Sequence, residues 1–163
     1  MTTKREAKKR KRNKKKKNKR QMKSPQARFI DKVKDSTSFP VSGVIVDPEG
    51  QAKMSEVILD FAKPLLDECK DDESIAKATG LAILIWNLSL LPQSDLDREI
   101  EKVCAGLSNS DDARDSAALM DYANFLLERK KKYYADNKRT IINYQISGSG
   151  KDLRLDVASS LSP

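Results

Sequence analysis

The chain has 163 residues, enough for one domain and an appendage, and its formal net charge of +8 is unevenly distributed. Residues 1–23 hold fourteen Lys and Arg and one acid, whereas residues 24–163 hold 18 basic and 23 acidic side chains, a net charge of −5. The chain contains no histidine, which removes the commonest general base and most catalytic zinc sites. We therefore expect no enzyme, no metal site and no cofactor.

The first 23 residues form a Lys-rich arm with almost nothing apolar to bury, so we expect this arm to be disordered in isolation. Lysines act as hydrated point charges, which suit phosphate backbones and predict contacts with RNA, DNA or a ribonucleoprotein particle without sequence specificity. A nuclear import signal, a solubilising tail and weak attraction to anionic lipid remain open alternatives. The predicted nucleic-acid-binding residues are Lys8, Lys9, Arg10, Lys11, Arg12, Lys14, Lys15, Lys16, Lys17, Lys19 and Arg20.

Residues 24–38 lose the charge run and contain Pro25 and several serines, so we interpret residues 1–38 as a disordered arm and linker, with at most one helical turn around Phe29. No apolar run follows the basic arm, which predicts that there is no signal peptide. We expect a cytoplasmic protein, or a nuclear one in a eukaryotic cell. The β-branched residues 41–46, bounded by Pro40 and Pro48, predict a short strand.

Two helices are predicted next. Apolar residues at helical spacing from Met54 to Cys69 predict one helix over about residues 52–70, bent where Pro64 cannot bond the carbonyl of Asp60. Residues 75–91 are the most apolar segment and predict a buried central helix, opened by the acidic residues 71–73 and ended by a proline. Within it, Asn87 is expected to bond a neighbouring backbone group.

Two further helices follow. Their apolar stripes predict which residues face the core, and Cys69 and Cys104, on separate stripes without metal-ligand spacing, are expected to be buried free thiols. The third helix has its stripe at Leu96, Ile100, Val103, Cys104 and Leu107. The fourth begins near residues 111–112 and has its stripe at Leu119, Tyr122, Ala123, Leu126 and Leu127.

The end of the fourth helix and the loop after it hold the main basic concentration outside the arm. Together with Tyr133 and Tyr134 these cations predict a secondary nucleic-acid patch. The alternative is a helix C-terminus whose cations complement the helix dipole. The candidate patch residues are Arg129, Lys130, Lys131, Lys132, Lys138 and Arg139.

After Tyr134 the apolar period changes from that of a helix to that of a strand. Ile142, Tyr144 and Ile146 alternate with polar residues, and so do Leu153, Leu155 and Val157, which predicts a β-hairpin with one apolar face. The candidate partners of its free edge are the strand over residues 41–46 or, if that pairing is absent, a second chain, either a partner protein or a second copy of this one. The sequence GSGKD at residues 148–152 is interpreted as the hairpin turn and not as a phosphate loop, since no Ser or Thr follows the lysine and no helix is predicted after it.

The sequence thus predicts a mostly helical α+β fold, with about four helices around a central buried helix, closed by a C-terminal β-hairpin that has a short N-terminal strand as its candidate partner. Residues 39–159 form a single compact domain and residues 160–163 a tail. The expected function is non-catalytic binding of nucleic acid through the arm. The alternative is a protein-interaction or regulatory module whose arm serves only localisation or solubility.

Overall fold

The fold is mostly helical α+β, as the sequence predicts. The computed structural model describes residues 24–36, 49–50, 52–107, 113–148 and 152–160. The Lys-rich arm and the predicted strand over residues 41–46 lie outside the described residues. The chain divides into two units, residues 1–44 and 45–163, of which the first contains helix α1. The elements in chain order are α1 (Pro25–Ser36), α2 (Met54–Leu66), α3 (Asp72–Leu88), α4 (Gln93–Leu107), α5 (Ala113–Tyr133), β1 (Ile141–Ser147) and β2 (Arg154–Ser159).

Helix α1 lies where the sequence predicts a linker with at most one helical turn. It has 12 residues, or three turns. The hydroxyl of Ser24 accepts a hydrogen bond from the N–H of Ala27 at 3.2 Å, so Ser24 caps the helix. Pro25 is the first helical residue, a position at which its missing N–H costs nothing. A Ser-Pro pair is therefore a helix start here, although the same pair is also typical of loops.

Helix α2 ends at Leu66, so the predicted continuation to Lys70 is wrong. Pro64 lies in the last turn and not in the middle. Beyond it the chain tightens: the N–H of Glu68 donates to the carbonyl of Leu65, three residues back, at 3.2 Å. Proline removes one hydrogen bond of the i to i−4 ladder and crowds the preceding turn. Because Pro64 lies so close to the end of α2, the helix does not resume after it and closes with a tighter i to i−3 turn.

Helix α3 is the central helix. Its start is fixed by a capping box, in which the carboxylate of Asp71 accepts from the N–H of Ser74 at 2.7 Å and the Ser74 hydroxyl accepts from the N–H of Asp71 at 3.2 Å. The first of these bonds lowers the pKa of the Asp71 carboxyl. The helix contacts α2, α4, α5 and β1. None of the helices within the described residues is long and apolar enough to cross a membrane.

The centre of the core is a cluster of three aromatic rings around Trp86. The rings of Phe61 and Trp86 meet edge to face with centroids 5.3 Å apart, and Tyr134 lies 5.7 Å from Trp86 and 5.8 Å from Phe61. Phe61 and Trp86 are fully buried. Each such ring contributes roughly 2–3 kcal/mol through burial alone, and edge-to-face pairs add about 1 kcal/mol. This cluster joins α2, α3 and the segment after α5.

Strands β1 and β2 form the predicted antiparallel hairpin, with Tyr144 opposite Val157 and Ile146 opposite Leu155, all packed on the core. The expected position of Ile142 on this apolar face is wrong, since Ile142 is 46% exposed while Ile141 is buried. The register is irregular between residues 141 and 143, which is a β-bulge. One extra residue reverses the alternation, so that Ile141 takes the inward position.

The GSGKD segment is the connection of this hairpin, as the sequence predicts. Strand β2 begins at Arg154, so among the described residues a strand and not an α-helix follows the lysine. Gly148 has a φ of +80°, and a Cβ atom there would lie 2.2 Å from the carbonyl oxygen of Asp152. A residue with a side chain cannot turn the chain at this point. Residues 149–151 lie outside the described residues.

Candidate interaction sites

The six cations of the secondary patch do not share one surface, because Lys130 and Arg139 are buried, at 4% and 7% exposure. The ammonium of Lys130 donates to the carbonyls of Tyr134 and Asn137 at 2.8 and 2.9 Å. It also lies 4.4 Å from the centroid of the Trp86 ring, within cation–π distance. Burial lowers the pKa of Lys130, and the charge of Lys138 adds to this effect. Lys130 therefore holds the turn after α5 against the core.

Arg139 joins the two ends of the folded unit. Its guanidinium donates to the carbonyl of Ala52 at 2.9 Å, to the carbonyl of Ser160 at 3.0 Å and to the hydroxyl of Ser159 at 2.7 Å. Burial lowers its pKa. The planar fork of an arginine satisfies three acceptors at fixed angles, which a lysine cannot do. These bonds tie the entrance of α2 to the end of β2, so Arg139 is a structural cation.

Arg129 compensates for the proline of α2. Pro64 leaves the carbonyl of Asp60 without its helical donor, and Arg129 Nη2 donates to that carbonyl at 3.0 Å. The same guanidinium lies 3.6 Å from the Asp60 carboxylate, which also accepts a hydrogen bond from the Tyr134 hydroxyl. Burial, together with this bond, raises the pKa of Tyr134 to about 12. Arg129 thus has a structural role, because its guanidinium binds the carbonyl and the carboxylate of Asp60 on α2.

The three remaining patch residues, Lys131, Lys132 and Lys138, are exposed. Lys131 pairs with Glu128 at 3.2 Å. Tyr133 is 59% exposed, and the Lys132 ammonium lies 5.1 Å from its ring centroid. The surface that the sequence predicts with six cations therefore offers three on the outside, of which Lys131 is paired with an acidic side chain. Contact with nucleic acid at these positions stays a prediction.

Two adjacent side chains of α3 fix the start of the hairpin. The indole N–H of Trp86 donates to the carbonyl of Arg139 at 2.9 Å. The carboxamide of Asn87 donates to the carbonyl of Ile141 and accepts from the N–H of the same residue, both at 2.9 Å. This confirms the prediction that Asn87 bonds a backbone group. The carboxamide therefore makes the two backbone hydrogen bonds that a neighbouring strand would make, and α3 takes the place of such a strand at the first residue of β1.

An open cleft of about 880 Å³ lies beside α3, on the face away from the aromatic cluster. Its walls come from the end of α2, the outer face of α3, the end of α4, the middle of α5 and one side chain of β1. It is mainly apolar. The lining residues are Leu65, Glu68, Cys69, Lys70, Asp71, Ser74, Ala76, Lys77, Ala78, Gly80, Leu81, Leu84, Gly106, Leu107, Leu119, Tyr122 and Tyr144.

Gly80 sets the shape of the cleft floor. A Cβ atom at this position would lie 3.1 Å from the hydroxyl oxygen of Tyr144, so the missing side chain lets that ring lie across α3. A glycine inside a helix costs about 1 kcal/mol relative to alanine, and the close approach of Tyr144 is its structural reason. Within the described part of the chain the Tyr144 hydroxyl has no hydrogen-bond partner.

Most charges along the cleft are already matched within the chain. Glu68 accepts a hydrogen bond from the Tyr122 hydroxyl at 2.8 Å, which raises the pKa of Tyr122. Lys77 pairs with Glu73 at 2.8 Å, and the hydrogen bond that its ammonium donates to the Glu73 carboxylate raises the pKa of Lys77. The Asp71 carboxylate caps α3. Of the charged lining residues, Lys70 alone lacks a partner among the residues that the structure covers.

The two cysteines are free thiols, as predicted, although Cys69 is only half-buried. The Cys69 thiol donates to the carbonyl of Leu65 at 3.3 Å. Cys104 is buried, and burial raises the pKa of its thiol. No group of three or more His, Cys, Asp or Glu side chains within the described ranges is arranged to hold a metal ion.

The sequence did not predict the cleft, although it contains two indications of it. Leu107 and Tyr122 belong to apolar stripes that predict burial, but they are 45% and 39% exposed. Leu84 belongs to the segment that is apolar nearly all round, yet it is only half-buried. An apolar stripe wider than the core requires is the feature that could have been recognised.

Comparison of the chain with protein-family models, with curated protein sequences and with solved structures found no match.

Proposed function

We propose that this chain is a non-catalytic nucleic-acid-binding protein whose Lys-rich arm contacts the phosphates of RNA or DNA. The observation that carries the proposal is the separation of charge along the sequence: residues 1–23 have a net charge of +13, while residues 24–163 have a net charge of −5. Phosphate attracts the first segment and repels the second. Binding through such an arm is sequence-independent and depends strongly on salt.

The positions of the other cations support a main role for the arm. Lys130 and Arg139 use their donors on carbonyls of the same chain, and Arg129 is held by Asp60. Of the three exposed cations of the secondary patch, Lys131 is paired with Glu128, so the patch offers far less positive charge than the arm. The arm holds more positive charge than the secondary patch, and it contains only one acidic residue to offset that charge.

The test is a salt titration of binding, with a labelled mixed-sequence RNA of 20 nucleotides and a 20-base-pair DNA duplex as probes. The full chain is compared with a chain that begins at Ser24. If the arm makes six to ten phosphate contacts, affinity falls by roughly 10³ to 10⁵ between 50 and 200 mM salt. The shortened chain is expected to lose nearly all of this binding.

A matched variant separates the arm from the secondary patch. Replacing Lys131 and Lys132 by Gln removes two exposed cations and should change affinity for either probe by no more than about tenfold. Replacing residues 14–17 by Gln removes four arm cations and should reduce the salt slope by about three to four. If the shortened chain binds as tightly as the full one, the proposal is wrong.

A protein-interaction role, in which the arm serves only localisation or solubility, is the second candidate. The observation that favours it is the open apolar cleft beside α3. Solution binding to the two nucleic-acid probes decides between the two roles of the arm, because a localisation tail would show no binding at about 150 mM salt.

A further inference from the structure

The cleft exposes side chains that the amphipathic pattern assigns to the interior. Leu84 lies on the most apolar helix, while Leu107 and Tyr122 lie on the apolar stripes of α4 and α5. Each Å² of apolar surface left in water loses about 25 cal/mol of the hydrophobic stabilisation that burial would supply. Clustered apolar surface of this kind is typical of interaction sites. The three residues come from three different helices and line the same cleft. A single misplaced side chain would not explain this clustering of exposed apolar residues.

We propose that this cleft binds the apolar face of an amphipathic helix from a partner protein. This inference goes beyond nucleic-acid binding by the arm and does not depend on it. Three features of the cleft determine the kind of partner: the composition of its walls, the extent of its apolar surface and the charges that remain unmatched. A fourth consideration is whether a helix of a second copy of this chain could occupy it.

The walls favour a helix over an extended peptide. An extended segment needs a row of free backbone donors and acceptors, such as the edge of a sheet. The cleft is lined chiefly by helical residues, whose backbone groups bond within their own helices, and β1 contributes only Tyr144. A helix brings its own backbone hydrogen bonds and needs only side-chain contacts, which is what this surface provides.

The extent of the apolar surface favours a macromolecule over a small ligand. Phe125, which does not line the cleft, lies one helical turn beyond Tyr122 on α5 and is 48% exposed. The apolar surface therefore continues past the rim, in the direction of the α5 axis. A small molecule would be covered by the cleft alone and would need more polar groups to orient it than the few that are free.

The charges define the polar edge of the partner. Glu68, Asp71 and Lys77 have partners within the chain, so the centre of the partner's face carries no charge. Lys70, at the end nearest the start of α3, lacks one in the part of the chain described by the structure. The complementary group is a carboxylate at one edge of the partner helix.

A second copy of this chain is a poor occupant. Helices α2 to α5 pack against one another in the core of their own unit, so none of these four is free to enter another molecule's cleft. Helix α1 is amphipathic too, but its apolar side chains Phe29 and Val33 are already buried, at 6% and 5% exposure. The partner is therefore a different protein, with leucine-type side chains at helical spacing and a glutamate or aspartate beside them.

The first measurement uses the full chain at 150 mM salt and two labelled 18-residue peptides of zero net charge and identical composition. One peptide has leucines at the spacing of a helical stripe with a glutamate at its edge, and the other has the same residues permuted so that no stripe exists. Fluorescence anisotropy should show binding of the first at least about tenfold tighter than the second. Because the two peptides carry the same charges, attraction to the Lys-rich arm cannot produce the difference.

Variants locate the site. Leu107→Glu is expected to weaken the striped peptide at least about tenfold, whereas Ile142→Glu, at an equally exposed position on the hairpin, should leave affinity within about twofold. Both side chains are nearly half exposed, so both variants should fold, and circular dichroism verifies this. Lys70→Glu should weaken binding, and a peptide with Lys in place of its edge glutamate should restore it.

Three results would overturn the proposal. The first is no difference between the two peptides up to 1 mM. The second is equal loss in Leu107→Glu and Ile142→Glu. The third is a different occupant, shown either by oleate binding without peptide binding or by dimers that Leu107→Glu dissociates in sedimentation. None of these outcomes bears on the salt titration, so failure here is distinguishable from failure of the nucleic-acid proposal.

Discussion

The pairing of Asn87 with Ile141 provides the sharpest test of how the hairpin is held. Replacing Asn87 by Leu keeps a side chain of similar size on α3 but removes both hydrogen bonds to the backbone of Ile141, each 2.9 Å long. Ile141 is only 5% exposed, so its N–H and carbonyl would lose their partners where little water reaches them. The first residue of β1 would then be unsatisfied on one side.

The expected loss follows from the cost of unpaired buried groups. Each costs roughly 1–3 kcal/mol, and the half-buried position of Asn87 lets water recover part of this. We expect the free energy of unfolding to fall by about 2–3 kcal/mol. For a unit of this size that corresponds to a decrease in Tm of roughly 8–15 °C.

The assay is urea unfolding followed by circular dichroism, with hydrogen exchange of the Ile141 amide as a local readout. The control is Asn124→Leu, the same substitution at an exposed position on α5, which should change stability by less than about 0.5 kcal/mol. Exchange at Ile141 should accelerate in Asn87→Leu and not in the control.

A second variant tests the geometry of the pair. Asn87→Asp keeps an acceptor for the N–H of Ile141 but places a negative charge against its carbonyl, so it should be destabilised at pH 7. In the folded state the introduced carboxyl should have a raised pKa, because its protonated form donates as the amide does. Its deficit relative to the natural chain should therefore shrink as pH falls through that pKa. If Asn87→Leu and Asn124→Leu are equally stable, or if Asn87→Asp shows no recovery in acid, this account of the hairpin junction is refuted.

Two other predictions concern Tyr134 and Gly80. The pKa of Tyr134 is raised to about 12, so its neutral form stabilises the fold fully below pH 10, and this stabilisation is lost as pH rises from 10 towards 12. Tyr134→Phe should cost about 1 kcal/mol at pH 7 in urea unfolding, and its difference from the natural chain should narrow by pH 11; a constant difference would contradict the assignment. Gly80→Ala should stabilise the fold by about 0.5 kcal/mol, because the helix gains about 1 kcal/mol while the ring of Tyr144 must shift by a few tenths of an ångström. In a Tyr144→Phe background the gain should approach the full 1 kcal/mol, whereas a net loss above about 1 kcal/mol would mean that the ring is fixed.

The features that the sequence predicted well are those that depend on nearby residues. The helical stripe around Phe61, the acidic start of α3 and the alternation around Tyr144 and Leu155 all follow from spacing along one element. The need of Asn87 for a backbone partner followed from its place in an apolar helix. The identity of that partner did not, because Ile141 lies 54 residues further on.

The features that it missed depend on distant partners or on one-residue irregularities. Lys130 and Arg139 look like surface cations in a basic run, but Trp86 and Ala52, far away in sequence, supply the environment that draws them inward. The bulge that exposes Ile142 has no glycine to mark it. The cleft arises because α3, α4 and α5 each carry more apolar surface than their mutual contacts cover.

The bonds of Trp86 and Asn87 also affect how the protein is made. Their partners, at positions 139 and 141, are 53 and 54 residues later in the chain. At roughly 5–20 residues per second, a ribosome needs about 3 to 11 s to synthesise the intervening segment. Throughout that time the nascent central helix carries an indole and a carboxamide without their final partners, beside the unfilled side of its core. We therefore expect the helices of the second unit to reach their full stability only after the hairpin has left the ribosome, and until then the apolar surface of the central helix is of the kind that chaperones bind.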